Sequence, residues 1–453
     1  MSSSGTSSTP FFLLTTLFGD AEMSRVFSEE RTVRGWLESE RALAGAQAEL
    51  GVLTREQAEA IADAATLGNI DLEELWRQAR NVGFPILPLI RMIASALPEE
   101  AAGRVHYGAT TQDIMDTGLA LQLRDALGRL DELLARFGQA VADLVEEHRH
   151  TVLAGRTHAQ QAVPTTLGTK LSVLLSELAR QRARLAEVRP RVCVVSLYGA
   201  VGTSAALGES ASQVRKAMAD SLGLQTSEVP WHVARDAVAE FGLLCASLSA
   251  SCARFAREVI DLSRTEIAEV REQGGHHRGG SSTMPQKANP IGSEAIVGMS
   301  ATAGALTSAL YRAMEAGHER AAGEWQIEWQ VVPQLACLGA GCVGMAAEVA
   351  EGLVVSQDAM SRNLGADNGL IMAEAYMMRL APSLGHRQAH DIVYEAATKA
   401  RQENLPLEET LEEFVPGEVW TELKGEMPLA PESYVGQPDL VCDAALETWR
   451  RSP

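Results

Sequence analysis

Between residues 233 and 272, Ala237, Phe241, Leu244, Leu248, Cys252, Phe255 and Val259 follow one another at steps of three or four. That period marks one face of an α-helix, whereas the apolar positions of a half-buried strand alternate. One helix over the whole stretch would reach about 60 Å at about 1.5 Å per residue. A helix so long needs partners for its apolar face, so the repeat predicts a bundle. Similar patterns near 115–147, 165–188, 291–315 and 334–354 supply them. The expected fold is all-α, with a long central helical bundle shared between subunits.

The flanks differ. Residues 1–105 carry shorter helical patterns broken by Gly83, Pro85 and Pro88; the tail from 355 is punctuated by Pro382, Pro406, Pro416, Pro428, Pro431 and Pro438. Glycine and proline end helices, so three mainly helical domains are expected, at 1–105, 106–354 and 355–453. Gly339, Gly341 and Gly344 match the GxGxxG pattern of dinucleotide-binding folds. That motif needs a preceding strand and a parallel sheet, but WQIEWQVVPQLACL reads as helix with a proline at its start. Small residues at a close helix contact explain these glycines better.

A formal net charge of −20 repels nucleic acid and anionic membrane surfaces, so neither is an expected partner. An anionic substrate would need locally clustered cations. Six cysteines lie scattered in apolar sequence without a CxxC pair, as expected of small buried residues in a reducing compartment. The tail MSSSGTSSTP lacks the pattern of a signal peptide, and no uninterrupted apolar run reaches the roughly 20 residues that span a bilayer. A cytoplasmic protein is expected.

One polar, permissive segment interrupts the helical pattern. GGHHRGGSSTMPQKANP, residues 274–290, joins four glycines to two serines, a lysine and an asparagine. Its GSSTMPQKANP resembles the GSSxMPxKxNP signature of the fumarase and aspartase superfamily, which includes adenylosuccinate lyase, argininosuccinate lyase and the bacterial carboxymuconate cycloisomerases. HYGATTQD (106–113) and GRTHAQQAVPTT (155–166) resemble its other shared regions, in the same order, and HERAAGEWQIEWQ (318–330) is most similar to the carboxymuconate cycloisomerase branch. The resemblance covers nearly the whole chain. It implies a homotetramer with a 20-helix core and active sites that each draw residues from three subunits.

Superfamily members typically remove a proton next to a carboxylate and expel a group from the neighbouring carbon, usually releasing fumarate. The intermediate places two negative charges on one carboxylate, which fixed donors and cations must meet. By resemblance, Ser281 is the general base, with Ser282 the competing assignment. A serine hydroxyl is too weak an acid to serve unaided, so loop amides and positive charge must assist its proton loss. Lys287 and Asn289 would stabilise the intermediate. Thr110, Thr111 and Gln112 would hold substrate carboxylates through hydroxyl and amide groups. Thr157 and His158 match the family's threonine–histidine pair, in which the imidazole acts as general acid or positions substrate. Arg320 is a candidate carboxylate-binding cation. His106 is either a second acid or a packing residue, and Asp113 and Asp116 are expected to be structural. His276 and His277, without acidic or cysteine partners at ligand spacing, are expected to be solvated. The expected partner is a small dicarboxylate substrate, with no metal and no cofactor.

Two departures from the carboxymuconate cycloisomerases bear on substrate. They commonly carry tryptophan where this chain has His158, and His-Lys-Arg where it has Gln286, Lys287 and Ala288. These departures point to a smaller C2-substituted succinate, and the resemblance, which extends to nitrosuccinate lyases, implies nitrosuccinate, which yields fumarate and nitrite. Lactonisation of 3-carboxy-cis,cis-muconate is the alternative, and a crystallin-like structural protein is the alternative of another class.

Overall fold

The computed structural model describes residues 12–275, 278–425 and 428–453; His276 and His277 lie outside them. Six helices position the site: α1 (Glu29–Glu49), α2 (Thr111–Glu147), α3 (Leu167–Val192), α4 (Asp236–Leu262), α5 (Ile291–Ala313) and α6 (Glu324–Glu351). The last five are the bundle that the apolar repeats predict. α2 starts where Thr110 turns extended and its N–H donates to the Asp113 carboxylate at 3.0 Å, satisfying an amide the helix cannot. The helix then runs 37 residues. α3 starts at Thr166, whose Oγ1 accepts from Thr169 N at 3.1 Å.

Along α4, Phe241, Leu244, Leu248, Cys252, Phe255 and Val259 are all buried, and Phe255 meets Phe137 of α2 at 5.4 Å between ring centroids. Each large apolar side chain buried in this way contributes about 1.5–3 kcal/mol. α5 packs along both α4 and α6. The glycines of GAGCVG lie inside α6: a Cβ on Gly339 would sit 3.2 Å from that of Cys245, and one on Gly341 would sit 3.0 Å from Met299 Sδ. Close packing thus accounts for these two glycines. Pro333, expected to open a helix, lies within α6, which begins at Glu324.

The 233–272 repeat does not form one helix. α4 ends at Leu262; the chain then turns through Ala268 at φ 53°, and Val270–Arg271 pair with Val354–Val355. Glu269 breaks the pattern: buried, it is drawn out of helical register to the Arg156 guanidinium and the Asn363 amide.

Between α2 and α3 runs an antiparallel hairpin, β1 (Val152–Thr157) and β2 (Gln160–Thr166). Near it a second core gathers Leu364, Tyr376, Leu380, Val393, Leu411 and Trp420. The final helix, Pro438–Arg451, returns to the bundle, where Trp449 covers Gly138 so closely that a Cβ there would lie 2.1 Å from the ring. All six cysteines are free thiols. Among the described residues α4 and α6 are long and apolar enough to cross a membrane, and most of each is buried inside the protein.

Candidate active site

The first corner of the site forms at the N-terminus of α2. Arg320 Nη1 donates to Thr110 Oγ1 at 3.3 Å and Nη2 donates to the Ala200 carbonyl at 3.0 Å. The predicted cation and the predicted carboxylate grip therefore meet. Thr111 is half-buried beside them, but Gln112 is buried, and its Nε2 donates to Asp116 Oδ2 and the His232 carbonyl. Gln112 buttresses the corner from behind. Asp113 fastens it, accepting from Tyr198 N (2.9 Å), Gly199 N (2.9 Å), Ser196 Oγ (3.2 Å) and His232 Nε2 (2.7 Å). Asp116 pairs with buried Arg235, which also binds Glu328. Both aspartates thus have the structural place expected of them. His106 precedes the corner at φ 61°, its Nδ1 lying 2.6 Å from Glu40 Oε1.

A second group of residues sits at the tip of the β1–β2 hairpin. Thr157 pairs with Gln160, leaving His158 (φ 50°) and Ala159 (φ 63°) as a two-residue turn in the left-handed region. Such a turn suits the right-handed twist of a hairpin but strains residues that bear a Cβ. Thr157 and His158 are both exposed there. The base of the hairpin is fixed: Arg156 donates to Glu269 at 2.6 and 2.9 Å, and Gln161 Nε2 donates to the Asn363 carbonyl at 2.9 Å.

The third group is the loop before α5. Asn289 closes its neck, donating both its backbone N–H (2.9 Å) and its Nδ2 (3.0 Å) to the Gly279 carbonyl, while Gly280 pairs with Ala288. Gly279 has φ 66°, and a Cβ there would lie 2.5 Å from the Asn289 carbonyl oxygen. Asn289 is thus a latch in this conformation. Ser281 Oγ accepts from Thr283 N at 3.3 Å and Met284 N at 3.1 Å. Donors aimed at a hydroxyl oxygen stabilise its deprotonated form, so this serine has the amide support a base requires. The Ser282 side chain has no hydrogen bond to a described residue. Lys287 is exposed, and its ammonium pairs with no described residue. Below the loop, Glu272 accepts from Gly292 N, Ser293 N and Ser293 Oγ, holding the first turn of α5.

These groups do not converge within one chain. The 37 residues of α2 span about 55 Å, and the chain from its end to His158, through β1, can fold back over at most about 36 Å, leaving at least about 20 Å between Thr110 and His158. The Ser281 loop lies at the far end too, because Gly292 packs on Met345 and Val349 near the end of α6, whereas Arg320 precedes its start. A cavity of about 280 Å³ lined by Trp36, Trp76, Trp325 and Trp329 contains none of the predicted site residues. Sequence reasoning missed Glu40, Arg156, Glu269 and Glu272. Among the described residues, no group of three or more His, Cys, Asp or Glu is placed to hold a metal ion.

The lyase family matches residues 19–303. The 3-carboxy-cis,cis-muconate cycloisomerase of Pseudomonas aeruginosa is 42% identical over 93% of this chain and 92% of its own length. Two solved structures align as closely: a 3-carboxy-cis,cis-muconate lactonizing enzyme from Pseudomonas putida (TM-score 0.90, 36% identity, 97% of this chain and 99% of that one) and a fumarate lyase from Mesorhizobium sp. BNC1 (TM-score 0.89, 36%, 97% and 100%). The chain belongs to the lyase family and is an enzyme. Within that family it is a fumarase/aspartase superfamily lyase related to the carboxymuconate cycloisomerase branch.

Proposed function

We propose that the protein is a 3-carboxy-cis,cis-muconate cycloisomerase that works as a homotetramer, with Ser281 as its proton-transfer group. The observation that carries the chemistry is the Ser281 hydroxyl, held by two loop amides on a loop that also bears Lys287. In the lactonising direction a substrate carboxylate oxygen adds to an alkene carbon. The adjacent carbon, next to another carboxylate, receives the electron pair and then a proton from Ser281, which solvent replenishes. One C–O bond forms, one C=C bond is consumed and one proton is taken up. The reverse reaction is a β-elimination in which the Ser281 alkoxide removes that proton. Lys287 and the Thr110–Arg320 corner supply donors and positive charge to the carboxylates. The separation of that corner from Ser281 and His158 supports a site assembled from several subunits.

The named relatives favour this substrate over nitrosuccinate, which the sequence alone placed first. The smaller substrate remains a second reading because Ala288, paired with Gly280, brings no cation beside Lys287. Loss of diene absorbance from 3-carboxy-cis,cis-muconate, run beside fumarate and nitrite release from nitrosuccinate, tests both. Lactone without fumarate is the expected result. Fumarate with stoichiometric nitrite, and no lactone, overturns it.

A further inference from the structure

Glu40 is a carboxylate in the wrong place for a plain core helix. On α1 it follows Trp36 and Leu37 and precedes Leu43, Ala44 and Gln47 at helical spacing, on the buried face, and only 1% of it is exposed. Oε1 meets His106 Nδ1 at 2.6 Å; Oε2 has no hydrogen-bond partner among the described residues. Two turns further along, buried Gln47 donates to the Tyr107 carbonyl at 2.6 Å. Together they clamp the 106–107 turn, where His106 holds a left-handed φ of 61° that side chains with a Cβ rarely adopt. Strain of this kind persists where surrounding contacts over-determine it, commonly at functional sites.

We propose that Glu40 is a positioning residue of the carboxylate-binding corner: by holding Nδ1, it turns the Nε2–H edge of His106 toward substrate, beside Thr110 and Arg320. The proposal rests on reading that corner as part of the active site. The Glu40 carboxylate assigns the Nδ1 proton, as a carboxylate behind a ligating or catalytic histidine does. The side chain of His106 is 15% exposed, enough for contact with a ligand. Burial pulls its basicity down, but the Glu40 charge and hydrogen bond, with the charge of Asp113 behind them, outweigh burial and raise it. The charged groups that act on the ring are thus Glu40 from α1 and Asp113 from α2, while Arg320, ahead of α6, donates to Thr110 four residues further along the chain. An imidazolium and a guanidinium at one corner suit a substrate with more than one carboxylate.

The test is the pH dependence of His106 carbethoxylation, read by peptide mass spectrometry on the whole protein, in wild type and Glu40→Gln. The expected midpoint lies above the ordinary imidazole value of about 6.5 in wild type and falls by about one unit or more in the variant. An unmoved midpoint overturns the pairing. If Glu40→Gln does not fold, Glu40→Asp withdraws the carboxylate by one methylene and is expected to give an intermediate midpoint. Tricarballylate, a tricarboxylate probe, is expected to protect His106 in wild type; failure to protect would remove the residue from the anion site. With 3-carboxy-cis,cis-muconate, Glu40→Gln is expected to raise KM about tenfold at pH 8, much less at pH 6, with kcat little changed. An equal rise at both pH values would reduce Glu40 to a structural role. Should wild type turn over no carboxymuconate, the substrate reading fails, while carbethoxylation and protection still decide this one.

Discussion

Two inactive variants should restore each other. Ser281→Ala removes the proposed proton-transfer group at one end of the bundle, and Arg320→Met removes the proposed carboxylate-binding cation at the other. The Ser281 loop leads into Gly292, which packs on Met345 about 30 Å along α6 from its start at Glu324, and Arg320 precedes that start, so one chain cannot bring both ends to one substrate. Co-expressed at equal levels, the two variants form mixed assemblies. A given site takes an intact Ser281 loop from an Arg320→Met subunit half the time and an intact corner from a Ser281→Ala subunit half the time. About a quarter of sites are then complete, so activity should return to about a quarter of wild type from a background near zero. Native mass spectrometry establishes the mixing, and turnover of 3-carboxy-cis,cis-muconate reads the result. Mixed oligomers without recovered activity would show that the two ends serve separate sites, and the helix-length reasoning would fall.

Three further outcomes are expected. Ser281→Ala should lower kcat by about a thousandfold or more with the oligomer intact, whereas Ser282→Ala, outside the amide clamp, should cost far less; the reverse order would move the base role. Arg235→Met strands the buried carboxylates of Asp116 and Glu328 and should cost about 3–5 kcal/mol in urea unfolding, and an unchanged midpoint would contradict their pairing. Asp20 caps the helix Ala21–Val26 and pairs with Arg129; burial opposes its ionisation, but these contacts prevail and hold its carboxyl below the ordinary 3.8. Its stabilisation is therefore present above 3.8 and lost as pH falls through the lower folded value, so Asp20→Asn should weaken the protein at pH 7, with the difference from wild type shrinking as pH falls below 3.8.

Apolar period made the bundle legible, because a 3.6-residue repeat persists wherever one helix face is buried. The 291–315 pattern is α5 nearly to the residue, and 115–147 is α2 without its first turn. The pattern overran α4 because Ile267 and Val270 keep the apolar rhythm on either side of Ala268, whose backbone turns, and Glu269, whose side chain serves a clamp. Ser281 and Arg320 were legible through motif resemblance. Asn289 was legible as part of the loop, but the direction of its amide depends on Gly279, ten residues away. Glu40 carried a signal that passed unread, a carboxylate in an apolar register. Arg156 and Glu269 carried none, since their pairing crosses 113 residues of chain.

The unbroken length of α2 makes it a gauge bar. It carries the threonine proposed to bind an anion at one end and leads into the histidine hairpin at the other, so in the proposed shared-site assembly its residue count fixes how far apart, and at what angle, two neighbouring reaction centres stand. One residue inserted in its middle would turn everything beyond it by about 100° and advance it by about 1.5 Å. Each end could still fold around its local contacts, yet every centre built from two such ends would be out of register. In this architecture helix length is itself part of the catalytic specification.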